Sequence, residues 1–289
     1  MLNLKIMDTK IVRNTKIVLI LIISIMFTFN FAGKYKAGIT ESVKTKSYQW
    51  GDQLTGNYVG KSEIESEITG ITYPYHIYLP ASYEQNADKK YAIIYSLDAQ
   101  WSFRAFAKFI DRDNRDVILV AIEEGPNNSK RREIDYRMPG VNDYFDFFRQ
   151  EFMPVIESKL RIDSNQRTFQ GTSYSGIAST ALLFMDDDKD PLFKNFIAND
   201  ASYWDEPDLM SDLISQRLQK DGSIKSNLYL TSAYPRGNYR FVLDFIDTLE
   251  SYDIEGLNVH HKKYTVSHNR VFDKSMQDTL DLIYGEVDI

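Results

Sequence analysis

The residues with the clearest chemical potential lie in Gln170-Gly171-Thr172-Ser173-Tyr174-Ser175-Gly176. Before them, Arg167-Thr168-Phe169-Gln170 is short and β-prone. After them, Ile177 to Met185 is apolar at helical spacing. A strand that turns sharply into a helix at Ser173 lifts a hydroxyl clear of the sheet and aims the start of a helix at the same point. Positions 171 and 175 must be small, because the strand and helix backbones pass close together there. The usual pattern is G-x-S-x-G; here Ser175 stands at the second glycine position and Gly176 follows it. The chemistry this spacing predicts is nucleophilic attack by a serine oxygen.

A serine hydroxyl is a weak nucleophile until a base takes its proton, and histidine is the usual base. The chain has four histidines. His76 precedes the serine, lies within a predicted strand and reads as structural. His260 and His261 are adjacent inside another predicted strand. His268 stands between Ser267 and Asn269, just past a strand that ends at Val266, where a base facing the serine is expected. The negative charge that develops during acyl transfer requires two aligned N–H donors. These are expected from Tyr174, the residue after the serine, and from Gln100 in the predicted loop Asp98-Ala99-Gln100-Trp101.

These residues need a scaffold that brings loops together at one sheet end. Ile68 to Leu79 alternates as a strand, and Pro80 stops it. Tyr91 to Leu97 and Val117 to Ile122 are continuous apolar runs, the mark of strands buried on both faces. Further strands are predicted at Phe196-Ile197-Ala198, Leu228-Tyr229-Leu230 and Val259 to Val266. Helices are predicted at Phe103 to Ile110, Val141 to Leu160 with a kink at Pro154, Leu209 to Leu218, Tyr239 to Leu249 and Phe272 to Tyr284. Glu123 to Gly140 reads as a long loop of functional size. Strands alternating with helices predict an α/β fold: a mostly parallel central sheet with helices on both faces and ligands beyond the strands' carboxyl ends. The expected organisation is a targeting segment at 1–33, a linker or extension at 34–67 and one domain at 68–289.

Composition narrows the function. With 289 residues and 43% hydrophobic content, one large core is available. A net charge of −7 argues against a nucleic-acid partner. The absence of cysteine excludes disulfides, thiolate metal sites and cysteine nucleophiles. No cofactor or metal is implied. Asp186-Asp187-Asp188 reads as a solvated helix end, because three consecutive side chains do not converge on one ion. Lys5, Lys10, Arg13 and Lys16 precede an uncharged apolar run from Ile17 to Ala32. That order predicts export, with the segment contacting membrane at least during transit. Cleavage after Ala32 and retention as an anchor both stay open, so the expected location is the periplasm, free or tethered to the inner membrane.

Taken together, these blocks resemble the putative-esterase family of α/β-hydrolases, which includes ferric-siderophore esterases, S-formylglutathione hydrolases, feruloyl esterases and the mycolyltransferase group. The resemblance rests on Leu79-Pro80-Ala81-Ser82-Tyr83, on Leu97-Asp98-Ala99-Gln100 in place of Leu-Asp-Gly, and on Arg131-Arg132-Glu133-Ile134-Asp135-Tyr136. Glu151 to Glu157, the Ser173 turn and His268-Asn269-Arg270-Val271-Phe272 complete it. It implies an α/β-hydrolase fold and hydrolysis of a small-molecule ester, with the siderophore-esterase branch as the nearest flavour.

Two departures bear on the mechanism. The family places an acid just after the strand equivalent to Leu228-Tyr229-Leu230, but here Thr231 to Arg236 has no carboxylate. The family's Ser-Pro-Ser-x-Trp block is altered to Asp200-Ala201-Ser202-Tyr203-Trp204. Either Asp200 is a relocated acid, or Ser173 and His268 act as a pair and Asp200 caps a turn. Arg131 or Arg132 would bind an anionic substrate group or be solvated loop charges. Trp101 and Trp204 would line the acyl group or cover the sheet end. Two functional classes follow: an exported serine esterase, or a non-catalytic binding protein of the same fold that has lost its acid.

Overall fold

The computed structural model describes residues 53–126, 129–186, 191–220 and 223–285. The predicted targeting segment at 1–33 and much of the 34–67 extension lie outside the described residues.

An eight-stranded sheet runs in the order β1-β2-β4-β3-β5-β6-β7-β8. Its strands are β1 (Asn57–Glu65), β2 (Thr72–Leu79), β3 (Tyr91–Ser96), β4 (Val117–Ile122), β5 (Ile162–Thr172), β6 (Asn195–Asn199), β7 (Asn227–Ala233) and β8 (Asn258–Tyr264). β1 pairs antiparallel with β2, and β2 with β4; every later pairing is parallel. All residues of β3, β4 and β6 are buried, as their unbroken apolar runs require once helices cover both faces.

The helices are α1 (Ala99–Arg112), α2 (Arg132–Asp135), α3 (Gly140–Phe147), α4 (Met153–Glu157), α5 (Tyr174–Met185), α6 (Pro207–Lys220), α7 (Tyr239–Tyr252) and α8 (His268–Tyr284). On one face, α1 and α8 bury Phe103, Phe106, Ile110, Met276 and Leu280. The other face holds an aromatic cluster in which Phe148 meets Tyr95, Phe152 and Phe169 edge-on at 5.4, 5.1 and 5.0 Å. Such edge-to-face pairs add about 1 kcal/mol each beyond their buried area.

Three expectations change. β1 lies inside the expected 34–67 extension, so the sheet starts earlier; Asn57 to Glu65 is an edge strand too polar to announce itself. The predicted loop at Asp98-Ala99-Gln100-Trp101 is one residue deep: Asp98 turns the chain with φ 59° and α1 begins at Ala99. The long helix predicted from Val141 to Leu160 is α3 and α4 joined by a π-helical turn, Phe148–Phe152. Pro154 has no N–H to give, and the wide turn before it lets the helix carry on past the missing bond.

Candidate active site

Ser173 sits between β5 and α5 at φ 64° and ψ −118°, a backbone region costly for any residue with a side chain. The neighbours hold it there. Its N–H donates to Asn199 O at 3.0 Å, and its carbonyl accepts from the N–H groups of Gly176, Ile177 and Ser202 at 3.0, 3.3 and 3.2 Å. Gly171 is obligatory: a Cβ there would lie 1.9 Å from the Ser175 carbonyl oxygen. A Cβ on Gly176 would lie 2.8 Å from Ala201 Cβ. The two close approaches explain the small residues around the serine.

Ser175, the departure from G-x-S-x-G, has work of its own. Its Oγ accepts from the Thr172 N–H at 2.7 Å and lies 2.7 Å from Asp98 Oδ2, with Thr172 O at 2.8 Å. Asp98 is also gripped by Arg132, whose Nε and Nη2 donate to the two carboxylate oxygens at 2.9 and 2.8 Å. A bidentate guanidinium–carboxylate pair fixes orientation as well as distance. The turn at Ser173 and the start of α1 are thus tied through Ser175, Asp98 and Arg132. Tyr174 and Gln100 lie in the first turns of α5 and α1, where backbone N–H groups have no intrahelical acceptor and the helix dipole favours negative charge.

Asp200 follows β6 at φ 42°, with a fully buried side chain. Its Oδ1 accepts from the Ala233 and Asn238 N–H groups at 2.8 and 3.0 Å. Its Oδ2 lies 2.6 Å from Nδ1 of His268, the first residue of α8. The His268 ring is one-third exposed, and its main-chain N–H donates to Arg236 O at 2.6 Å. Gly237 makes room for this pair, since a Cβ there would come within 2.6 Å of Asp200 Oδ2. Asp244 and Asp247 lie on α7 with exposed side chains, as expected of residues pointing away.

Among the described residues, the Ser173 hydroxyl bonds to Ser202 Oγ at 3.0 Å. Ser202 in turn accepts from Asn238 Nδ2 at 3.3 Å, and the same amide donates to Asp200 O at 2.7 Å. A chain of contacts therefore links Ser173 to Asp200 through Ser202 and Asn238. Ser202 stood inside the altered block and Asn238 just past the acid-free loop. Ser202 keeps the second serine of that block and Asn238 carries no motif; only their three-dimensional meeting reveals the contact with Ser173.

The expected substrate residues are placed as follows. Arg131 is ion-paired with Asp135, a carboxyl that burial raises above its usual range against the pull of Arg131 and Tyr73. It is held by the fold through this pair rather than standing as a solvated charge. Arg132 is likewise committed to Asp98, with its guanidinium 4.8 Å from the Trp101 ring centroid and 5.4 Å from that of Tyr174. Trp101 is 63% exposed and Trp204 46% exposed, and Trp204 Nε1 donates to Asn238 Oδ1 at 3.1 Å. Asp186 accepts from the Leu192 and Phe193 N–H groups, which makes it a turn-capping residue. Among the described residues, no group of His, Asp and Glu is arranged to hold a metal ion.

The sheet order, the strained serine turn and the helices on both faces define an α/β-hydrolase fold. Residues 66–191 match the model of the putative esterase family. Among solved structures, the chain is similar to an IroE-like serine hydrolase from Shewanella oneidensis, with 26% identity and a TM-score of 0.66 over 77% of this chain and 78% of that one. It is also similar in fold to the siderophore hydrolase EstB from Aspergillus nidulans, with 16% identity and a TM-score of 0.64 over 78% and 94% of the two chains. The enterobactin and salmochelin hydrolase IroE shares the fold at 17% identity and a TM-score of 0.57 over 80% and 96%. No match was found among curated proteins. The family match and the similar serine hydrolase support a hydrolase of the esterase class.

Proposed function

We propose that the protein is an exported serine esterase that works through an acyl-enzyme, with Ser173 as nucleophile, His268 as base and Asp200 as the acid that orients it. The observation that carries this reading is the 2.6 Å contact between His268 Nδ1 and a buried carboxylate just past the end of the strand beside the serine's own. A carboxylate only accepts, so the imidazole proton is held on Nδ1 and the Nε2 lone pair is left free. Nε2 takes the Ser173 proton as Oγ attacks the ester carbon, and returns it to the departing alcohol. Water then attacks the acyl-enzyme with the same base. The N–H groups of Tyr174 and Gln100 face the oxyanion, and losing one such donor typically costs about 3 kcal/mol of barrier. For this the Ser173 hydroxyl must leave Ser202, and catalytic hydrogen bonds often tighten only once substrate is bound.

The Ser173–Ser202 bond is also what a second reading would use. In a non-catalytic binding protein of this fold, the hydroxyl would stay parked on Ser202. A fluorophosphonate probe separates the two. Labelling of the folded protein that is lost in Ser173→Ala supports the esterase; no labelling of folded protein sinks it.

The substrate class we favour is the siderophore-type ester, supported by the named activities of the similar structures. Trp101, Tyr174 and Trp204 would supply aromatic contacts at the mouth. Hydrolysis of catecholate siderophores compared with short p-nitrophenyl esters tests it. The export reading rests on the basic-then-apolar order before residue 33. Fractionation of cells expressing the full chain checks it, and a cytosolic pool alone would overturn it.

A further inference from the structure

The contacts that begin at Ser173 end at the surface on Trp204, and their donors run in one direction. An indole N–H only donates, so the Asn238 atom 3.1 Å from Trp204 Nε1 is the amide oxygen. The amide nitrogen is thereby turned inward, where it donates to Asp200 O at 2.7 Å and to Ser202 Oγ at 3.3 Å. The Asn238 main chain is held as well, through the N–H that Asp200 Oδ1 accepts at 3.0 Å. Ser202 is buried, and its own N–H donates to Ser173 O at 3.2 Å. With its oxygen accepting from Asn238, the Ser202 hydroxyl still has a proton to place. Its other partner among the described residues is Ser173 Oγ at 3.0 Å.

The serine is placed accordingly. Its Oγ is bonded on the Ser202 side, while His268 Nε2 meets no hydrogen-bond partner among the described residues. The base is oriented by Asp200 but not engaged with the hydroxyl it serves. Trp204, at the other end of the contacts, is exposed, with its ring centroid 6.2 Å from that of Tyr174. A molecule entering the mouth meets it directly.

We propose that Trp204 is a positioning residue for the nucleophile: through Asn238 it aims the Ser202 hydroxyl at Ser173 Oγ and holds the serine off its base until the mouth is occupied. This rests on the assignment of Ser173 and His268 above. A hydrogen bond into Ser173 Oγ fills a lone pair that attack requires and keeps the oxygen turned from His268 Nε2. An ester with an oxygen that accepts the indole N–H takes it from Asn238. The amide is then free to turn, Ser202 loses the contact that aims it, and Ser173 reaches the base. Binding thus completes the catalytic arrangement. Esters without such an oxygen meet a restrained serine.

The test uses Trp204→Phe, which keeps an aromatic ring beside Tyr174 but has no N–H, and Ser202→Ala, which removes the hydroxyl. Asn238 is left intact because the same amide holds Asp200. The substrate is phenyl acetate, which has no oxygen beyond its ester, and a short alkyl fluorophosphonate reads attack alone. Both rates are expected to rise about fivefold in either variant, the size of one neutral hydrogen bond. The double variant should be no faster than the single ones, since both substitutions cut one chain of contacts. Damage to the fold lowers rates and does not imitate a gain. An unchanged or slower reaction in Trp204→Phe overturns the proposal, and so does a double variant whose gain is the product of the two. The three methoxyphenyl acetates, each with one added acceptor oxygen, test release. At least one should lead phenyl acetate about fivefold in kcat/KM in the wild type and lose that lead in Trp204→Phe; no such lead in any of them overturns release by substrate. Labelling at one rate throughout leaves the esterase reading standing and overturns the restraint alone. No labelling of any folded protein overturns both.

Discussion

At the level of single residues, the most informative group is Asp200. Replacing it by Asn keeps a carbonyl for the Ala233 and Asn238 N–H groups, so the fold should survive. The orienting charge beside His268 is lost, and kcat is expected to drop by about ten-thousandfold. Activity within about threefold of the parent would remove Asp200 from the mechanism. Arg132→Lys tests the other charged joint. Lysine cannot reproduce the two-pronged grip on Asp98, so stability should fall by about 2 kcal/mol and kcat/KM should fall with it. Thermal melts and steady-state kinetics would check both, and a silent substitution would show that Ser175 and Tyr136 suffice to hold Asp98. Ser173 and His268 were legible in the sequence because their neighbours carry the signal: a strand, small residues and a helix around one, a strand end before the other. Asp200 was legible only as a carboxylate standing where a serine is usual. The Ser175–Asp98–Arg132 joint was not legible, because its members are far apart in sequence and each looks ordinary alone.

At the level of elements, the turn at Ser173 depends on how closely β5 and α5 approach. Gly171→Ala drives a methyl group into the Ser175 carbonyl and should destabilise the protein by about 3 kcal/mol or prevent soluble expression. An unaltered melting temperature would mean that the turn relaxes more easily than its bonds imply. The strands buried on both faces were readable from their apolar runs, and so was the existence of the helices from α3 onward, whereas the short α2 lay hidden in what reads as a loop from Glu123 to Gly140. β1 was not, since a half-exposed antiparallel edge strand needs few apolar residues. The early start of α1 was hidden as well: only the left-handed turn at Asp98 reveals that helix geometry reaches back to Gln100.

At the level of the whole molecule, protonation links the sheet to acidity. Burial pushes the His76 imidazole below its ordinary value of 6.5, with Glu123 opposing and Lys61 and Arg104 reinforcing the shift. The unfolded chain therefore binds more protons than the folded one just below pH 6.5, so stability is full above that point and is lost as the pH falls. Melting temperature should decline between about pH 7 and about pH 5, and His76→Gln should shallow that decline. A flat profile in the wild type would contradict the burial of the His76 ring.

One architectural detail has a consequence for how the molecule wears out. Thr172 and Asn199 are paired across β5 and β6, so under the proposed assignment the nucleophile and the acid ride on a single ladder in the middle of the sheet. The imidazole is delivered instead from beyond β8, a rim strand with six of its seven side chains open to water. Rims loosen first on heating. Turnover should therefore fade several degrees before circular dichroism registers any melting, and return in full on cooling, like a clock whose escapement slips while its frame still stands.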